Sequence, residues 1–230
     1  MINNKEVTAI IVARKGSVRV PSKNLLPLGD DTLISRKIKQ LKESKYIDRI
    51  IFGSDSDEML EHAKKFGAEC VRRPDYYCDE RQASANDMIR NMCELINTDI
   101  VVWAHCTNPL LTAATYDSAI TAFINGEKDG YDSVLSVVEL REHLWGEDKQ
   151  PLNYDPYKPR HTPARELPPY YMQDGGIFIQ PYEQMKKNSY FFGKHPYLYI
   201  IPQDEFLDIN DMRDYLLAKV IIENSKDIIK

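Results

Sequence analysis

The sequence predicts an α/β fold, a mostly parallel sheet with helices on both faces. Three observations predict it. Short β-branched apolar runs alternate with amphipathic helical patterns, the strand-helix unit repeats four times, and strands return after a proline-rich interruption.

Residues 7–13 form the opening apolar run, and Leu33, Ile34, Ile38 and Leu41 follow at helical spacing. Residues 49–53 read as the second strand. Ser54, Asp55 and Ser56 supply capping oxygens for a helix carrying Met59, Leu60, Ala63 and Phe66, with Gly67 at the position after its C-cap. Strands at 69–72 and 100–104 flank a helix bearing Met88, Ile89, Met92 and Leu95. Tyr116, Ala119, Ile120 and Phe123 mark the fourth helix, before a strand at 133–138. From about 140 to 173 the pattern breaks among Pro151, Pro156, Pro159, Pro163, Pro168 and Pro169, so this segment reads as an insertion. Strands return at 177–179 and 197–201, and a helix with Met212, Tyr215, Leu216, Val220 and Ile221 closes the chain.

A chain of 230 residues, 43% apolar, can bury a core without disulfides or metals, and the expectation is a single domain over 1–230. Thirty basic against thirty-five acidic residues give a net charge of −5, which argues against broad nucleic-acid binding. No signal-peptide core or bilayer-length apolar stretch is present, so no membrane association and a cytoplasmic location are expected. Cys70, Cys78, Cys93 and Cys106 form no CxxC pair, and with His62 and His105 they fit no zinc spacing; they read as free thiols.

In an open α/β sheet, ligands sit beyond the carboxyl ends of the strands. Directly after the first strand stand Arg14, Lys15, Gly16, Ser17, Arg19, Ser22, Lys23 and Asn24. Backbone amides of a Gly-containing turn together with Arg and Lys match the charge and acceptor oxygens of a polyphosphate. The other reading is a solvated basic turn. Neither a Walker A loop nor GxGxxG occurs here.

Residues 13–24 resemble the ARxGSKRxPxKN opening motif of the acylneuraminate cytidylyltransferases. The resemblance continues through Gly53-Ser54-Asp55-Ser56, Arg73-Pro74, Gln82-Ala83-Ser84-Ala85, the 107–112 block, Asp174-Gly175-Gly176-Ile177-Phe178-Ile179 and Asp208-Ile209-Asn210. It implies a Rossmann-like nucleotidyltransferase fold and coupling of CTP to an acidic sugar, such as a sialic-acid-like nonulosonate, for surface glycans. It further implies Mg²⁺ as cofactor, a small acidic acceptor, and a homodimer formed through the insertion. Arg14, Lys23 and Asp208 take the catalytic positions by this resemblance, with Gly16, Ser17, Arg19 and Asn24 beside the phosphates. Arg73, Ala83, Ser84 and Ala85 take the cytosine pocket. Asp208 and Asn210 take the metal positions, Asp208 having a helix N-cap as its alternative reading and Asp211 being the expected cap.

Several family positions differ. Val18 replaces a lysine, and Asn210 replaces the second aspartate of DID. On the acceptor side His105 stands for a glutamine, Arg165 lies one place beyond the expected arginine, Asp174 replaces Asn and Phe178 replaces Tyr. Phe191 and Phe192 match an aromatic pair that reaches the neighbouring subunit's sugar pocket in family members. His105 reads either as a base or oxyanion partner, or as a histidine satisfied at a strand end. In the insertion, Arg141, Arg160, Arg165, His143 and His161 suit an acidic acceptor or a subunit contact, and Tyr154, Tyr157, Tyr170 and Tyr171 suit an interface. A phosphate- or phosphonate-bearing acceptor, and a non-catalytic nucleotide binder, are the rival functions.

Overall fold

The computed structural model describes residues 2–16 and 19–228. The first half comprises β1 (Val7–Val12), β2 (Pro27–Leu28), β3 (Asp31–Thr32), α1 (Leu33–Lys42), β4 (Arg49–Ser54), α2 (Asp57–Lys65), β5 (Glu69–Arg72), α3 (Ala85–Glu94), β6 (Ile100–Ala104) and α4 (Ala113–Gly126). There follow β7 (Ser133–Leu140), β8 (Tyr170–Pro181), α5 (Tyr182–Asn188), β9 (Pro196–Ile200) and α6 (Met212–Ile228). Seven strands share one sheet, ordered β5-β4-β1-β6-β8-β7-β9, and β2 pairs with β3 alone.

Side chains alternate across the sheet, so each central strand feeds two cores. On β1, Val7, Ala9 and Ile11 pack with α1, α2 and α4 residues such as Ile38, Ala63 and Ile120, while Ile10 joins Ile89, Met92 and Met185 on the other face. On β6, Val102 and Trp103 divide in the same way. The helices begin where small polar residues satisfy free amides: Thr32, Ser56, Ser84 and Thr112 accept from the backbone three residues on. Gly67 ends α2 at φ +89°, a conformation a β-carbon would strain.

The sheet is mixed in one place. β8 runs antiparallel to both β6 and β7, whereas β1, β4, β5 and β6 are mutually parallel and β9 is parallel to β7. The short strand expected at 177–179 is the end of this twelve-residue strand, which starts inside the proline-rich stretch. Glu139 and Leu140 pair with Tyr171 and Tyr170, so the ordered ladder extends into what reads as insertion. The closing helix also turns differently from its apolar pattern. Tyr215 and Ala218 face the body, whereas Met212, Leu216 and Val220 are exposed. Tyr215 donates its hydroxyl to the Pro27 carbonyl, and that contact sets the helix rotation. Among the described residues no helix is long and apolar enough to cross a membrane, and all four cysteines are free.

Candidate active site

The carboxyl ends of β1, β4, β5 and β6 open on one side of the sheet, and the basic segment after β1 lies there. Its four cations separate by role. The Lys15 amide donates to Asp55 Oδ1 at 2.9 Å and its ammonium meets Asp75 at 3.1 Å, which turns Lys15 away from the cleft. Arg14 pairs with Glu80 at 2.8 Å, Arg19 donates to Asn210 Oδ1 at 3.2 Å, and Lys23 Nζ donates to the Ile209 carbonyl at 2.7 Å. Arg14, Arg19, Lys23 and the buried Asn24 line a cleft of about 540 Å³, faced by His105, Thr107, Asp208 and Asn210. Burial lowers the Lys23 pKa and Asp208 opposes that shift. Gly16 lies on the adjoining outer cavity with Lys15 and Asp55. Ser17 and Val18 lie outside the described residues.

A second pocket, about 310 Å³, shares Val12, Ala13, Arg14 and Glu80 with the first and is closed by Arg73, Ala83, Ser84 and Ala85. Arg73 is buried, with Nε on Asn91 Oδ1 and Nη2 on the Tyr77 carbonyl, both at 3.1 Å. A β-carbon on Gly53 would lie 2.8 Å from Arg73 Cδ and 2.6 Å from Met92 Sδ, so the glycine makes room for this arginine. Ser84 and Asp87 cap α3 reciprocally, and the buried Ala83 adds almost no bulk. Val12, Ala13, Tyr77, Ala83, Ala85 and Met88 give the pocket a mostly apolar lining with Arg73 and Ser84 among its polar groups, a chemistry suited to a heterocycle.

Asp208 sits on a pinned segment. Ile209 N donates to Thr107 O at 2.9 Å, and the Asn210 amide donates to Asp208 Oδ2 at 2.8 Å. The α6 cap is Asp211, which accepts from Arg213 and Asp214 amides while Asp214 accepts from Asn210 and Asp211 amides. Asp208 is thereby left facing the cleft. Its carboxylate suits Mg²⁺, which binds one or two carboxylates and takes its other oxygens from phosphate and water. Asn210 directs its nitrogen to Asp208 and its oxygen to Arg19, so it orients the carboxylate. Among the described residues no three His, Cys, Asp or Glu gather into a cage that would hold a metal without substrate oxygens.

The acceptor-side residues are arranged less simply. His105 Nε2 accepts from the Trp103 indole at 3.1 Å, and Nδ1 lies on the side of Gly175. Burial lowers its pKa, and the nitrogen that faces the Trp103 indole is already engaged. Asp174 does not line the cleft. It is buried and accepts from Ser136 Oγ at 2.5 Å and Gly176 N at 3.2 Å, because the β-bulge at Gly175 (φ +76°) turns it into the sheet. Phe178 is buried beneath Phe191 at a ring separation of 4.7 Å, Phe191 packs edge-on against Trp103 and His105, and Phe192 stacks farther from Phe178 at 6.4 Å. These aromatics form the wall behind His105 within the same chain. Arg165 is exposed on a 3₁₀ turn of the insertion and lines neither cleft.

Glu80 and Lys37 escape the sequence reading, and Asp55, read there as a helix cap, has another role because Ser56 is the cap. Glu80, in the loop before α3, borders every compartment of the site. Asp55 anchors the loop after β1. Lys37 lies fully buried on α1, donating to Asn108 O and Tyr116 Oη at 2.8 Å each. Only Asp55 carries a local signal, the acidic residue directly after a strand end.

A family model described as cytidylyltransferase matches residues 8–219. A pseudaminic acid cytidylyltransferase of Campylobacter jejuni is 25% identical over 92% of this chain and 94% of its own length. An N-acylneuraminate cytidylyltransferase of Escherichia coli is 28% identical over 96% of this chain and 53% of its own. Among solved structures, a CMP:2-keto-3-deoxy-manno-octonic acid synthetase in complex with CTP superposes with a TM-score of 0.68 at 11% identity, covering 96% of this chain and 99% of the other. That likeness establishes the Rossmann-like nucleotidyltransferase fold.

Proposed function

The chain belongs to the cytidylyltransferase family, and from that premise we propose that it couples CTP to a 2-keto sugar acid of the nonulosonate class, giving a CMP-sugar for surface glycans and pyrophosphate. One observation carries the reading: a cationic cleft and a smaller, mostly apolar pocket joined at Arg14, with Asp208 on the cleft side. The cytosine would enter between Arg73 and the Ala83–Ala85 backbone, and the triphosphate would lie along Arg14, Arg19 and Lys23. Mg²⁺ held by Asp208 would neutralise phosphate charge when bound. The sugar hydroxyl oxygen bonds the α-phosphorus, the bond from that phosphorus to the bridging oxygen breaks, pyrophosphate leaves with the electron pair, and the hydroxyl proton passes to solvent. Lys23 and Arg19 stabilise the charge that grows on pyrophosphate. The names of the relatives above support an acidic sugar as acceptor. Exposed Trp145, Leu152 and Tyr157 on the insertion support a homodimer, which the mass measured by light scattering checks.

The deciding experiment is pyrophosphate release with CTP, UTP, ATP or GTP against a panel of eight- and nine-carbon keto sugar acids and a phosphonate acceptor. The expected result is turnover with CTP and a nine-carbon acid. Turnover only on the phosphonate, or CTP binding without turnover on any acceptor, overturns it.

Glu80 offers a further check. Its carboxylate occupies Arg14 where phosphate oxygens are to bind, so Glu80→Gln should tighten CTP binding up to about 5-fold at low salt, the range of one exposed ion pair. The gain should fade above about 0.5 M salt. Weaker binding in the variant would make Glu80 a nucleotide contact instead.

A further inference from the structure

α1 aims three side-chain donors at one turn. Lys37 Nζ donates to the Asn108 carbonyl at 2.8 Å, while Arg36 Nε and Gln40 Nε2 donate to the next carbonyl, that of Pro109, at 2.7 and 2.8 Å. From the opposite side the Asn108 side chain donates to the Asp174 carbonyl at 3.0 Å. This turn carries the β6 chain from His105 past the cleft, and its Thr107 carbonyl receives Ile209 N at 2.9 Å. The Ile209 carbonyl in turn receives Lys23. Asp208 therefore stands on a segment whose fixed point is the turn that α1 holds from behind. Glu205 pins the same segment upstream by accepting from the Thr112 amide and the Thr115 hydroxyl at 2.9 and 2.6 Å.

Of the three donors Lys37 alone is fully buried, and its ammonium meets a carbonyl and a phenol, with no carboxylate in contact among the described residues. An ammonium taken out of water is costly to hold, so a purely space-filling role favours Leu or Met at this position. The charged and titratable groups around it are Arg36 on α1, Cys106 after β6, Tyr116 on α4, Asp174 on β8 and Glu205 before α6.

We propose that Lys37 is a positioning residue for the metal-nucleotide side of the site: it clamps the Asn108 carbonyl so that Thr107 holds Asp208 where phosphate and Mg²⁺ meet. It touches neither substrate nor metal and acts through the chain Lys37, Asn108, Thr107, Ile209. The inference rests on the cytidylyltransferase reading and on Asp208 as the metal carboxylate.

The test is calorimetric titration of the full chain with CTP, with and without Mg²⁺, for wild type, Lys37→Met and Tyr116→Phe, each checked for fold by circular dichroism. Wild type should gain at least 10-fold in affinity from Mg²⁺. Lys37→Met should bind metal-free CTP as wild type does and lose most of that gain. Tyr116→Phe, which removes one of the two acceptors of Lys37, should lose about 2- to 3-fold of it. A folded Lys37→Met protein that keeps the whole gain overturns the proposal. If that variant does not fold, an undiminished gain in Tyr116→Phe overturns it instead. Wild type that binds CTP without any Mg²⁺ gain removes Asp208 from metal binding and the proposal with it. Absence of CTP binding in wild type refutes the cytidylyltransferase reading itself.

Discussion

Lys23→Ala should lower turnover by roughly 100- to 1000-fold, the loss expected when one preorganised donor to transition-state charge is removed. The variant should stay folded. Lys23 lies on a short 3₁₀ turn and, among the described residues, its ammonium has one hydrogen-bond partner, the Ile209 carbonyl, so the expected stability loss is about 1 kcal/mol, a few degrees in Tm. The ammonium is half-buried and its pKa is drawn down by desolvation, which marks a cation shielded from water and therefore strongly felt by a phosphate placed beside it. Lys15→Ala is the matched control. Both lysines belong to the same basic run, but Lys15 is engaged by Asp55 and Asp75, so its loss should change turnover less than about 3-fold, as expected of an exposed ion pair. Steady-state pyrophosphate release on the two variants reads the contrast. Equal losses would mean that net charge in the loop matters and position does not.

That contrast also marks how far the sequence reaches. The run from Arg14 to Asn24 reads as cationic, and the strand-end rule places it at the site, but nothing local separates Lys15 from Lys23. Their partners, Asp75 and Ile209, lie 60 and 186 residues away. The β1, β4 and β6 strands are legible because both faces are buried, and β5, an exposed edge strand, is legible because the chain on either side of it has helical period. The first part of β8 is not, because Tyr170 to Gln173 follow Pro168 and Pro169 and expose their side chains, which removes the alternating pattern, whereas its 177–179 part reads as strand. Asp174 reads as an acceptor ligand through the resemblance, standing where the family block has Asn. Its inward turn depends on a bulge opposite Ser136, a pairing 38 residues away. Lys37 is hidden for a related reason. In the run Ser35-Arg36-Lys37-Ile38-Lys39 it looks like any solvated helix lysine, and only the docking of α4 and the turn after β6 buries it.

Burial of Lys37 makes a measurable signature in stability against pH. Desolvation pushes its pKa from 10.5 down to about 7 in the folded protein, partly opposed by the neighbouring Cys106 and Asp174. The unfolded chain carries the ordinary lysine. Between these two values the unfolded state binds a proton that the folded state lacks, so unfolding takes one up and stability rises with pH. Below pH 7 both states are protonated and the full cost of the buried ammonium is present. Lys37→Met abolishes this contribution. The stability of wild type relative to Lys37→Met should therefore increase by roughly 2–3 kcal/mol from pH 7 to 9, because each tenfold fall in proton concentration across this window is worth about 1.4 kcal/mol. Cys106 acts in the opposite sense: burial raises its pKa to about 12, so the unfolded thiol ionises first and stability falls at alkaline pH. Both proteins carry that thiol, and comparing them isolates the lysine. The acceptors left without a donor in Lys37→Met lower its stability by an amount independent of pH over this range, so the slope carries the information. Urea unfolding of the pair at pH 7, 8 and 9 measures it. Parallel curves for the two proteins would mean that Lys37 keeps its proton throughout, held by hydrogen bonds to Asn108 and Tyr116 strong enough to offset desolvation.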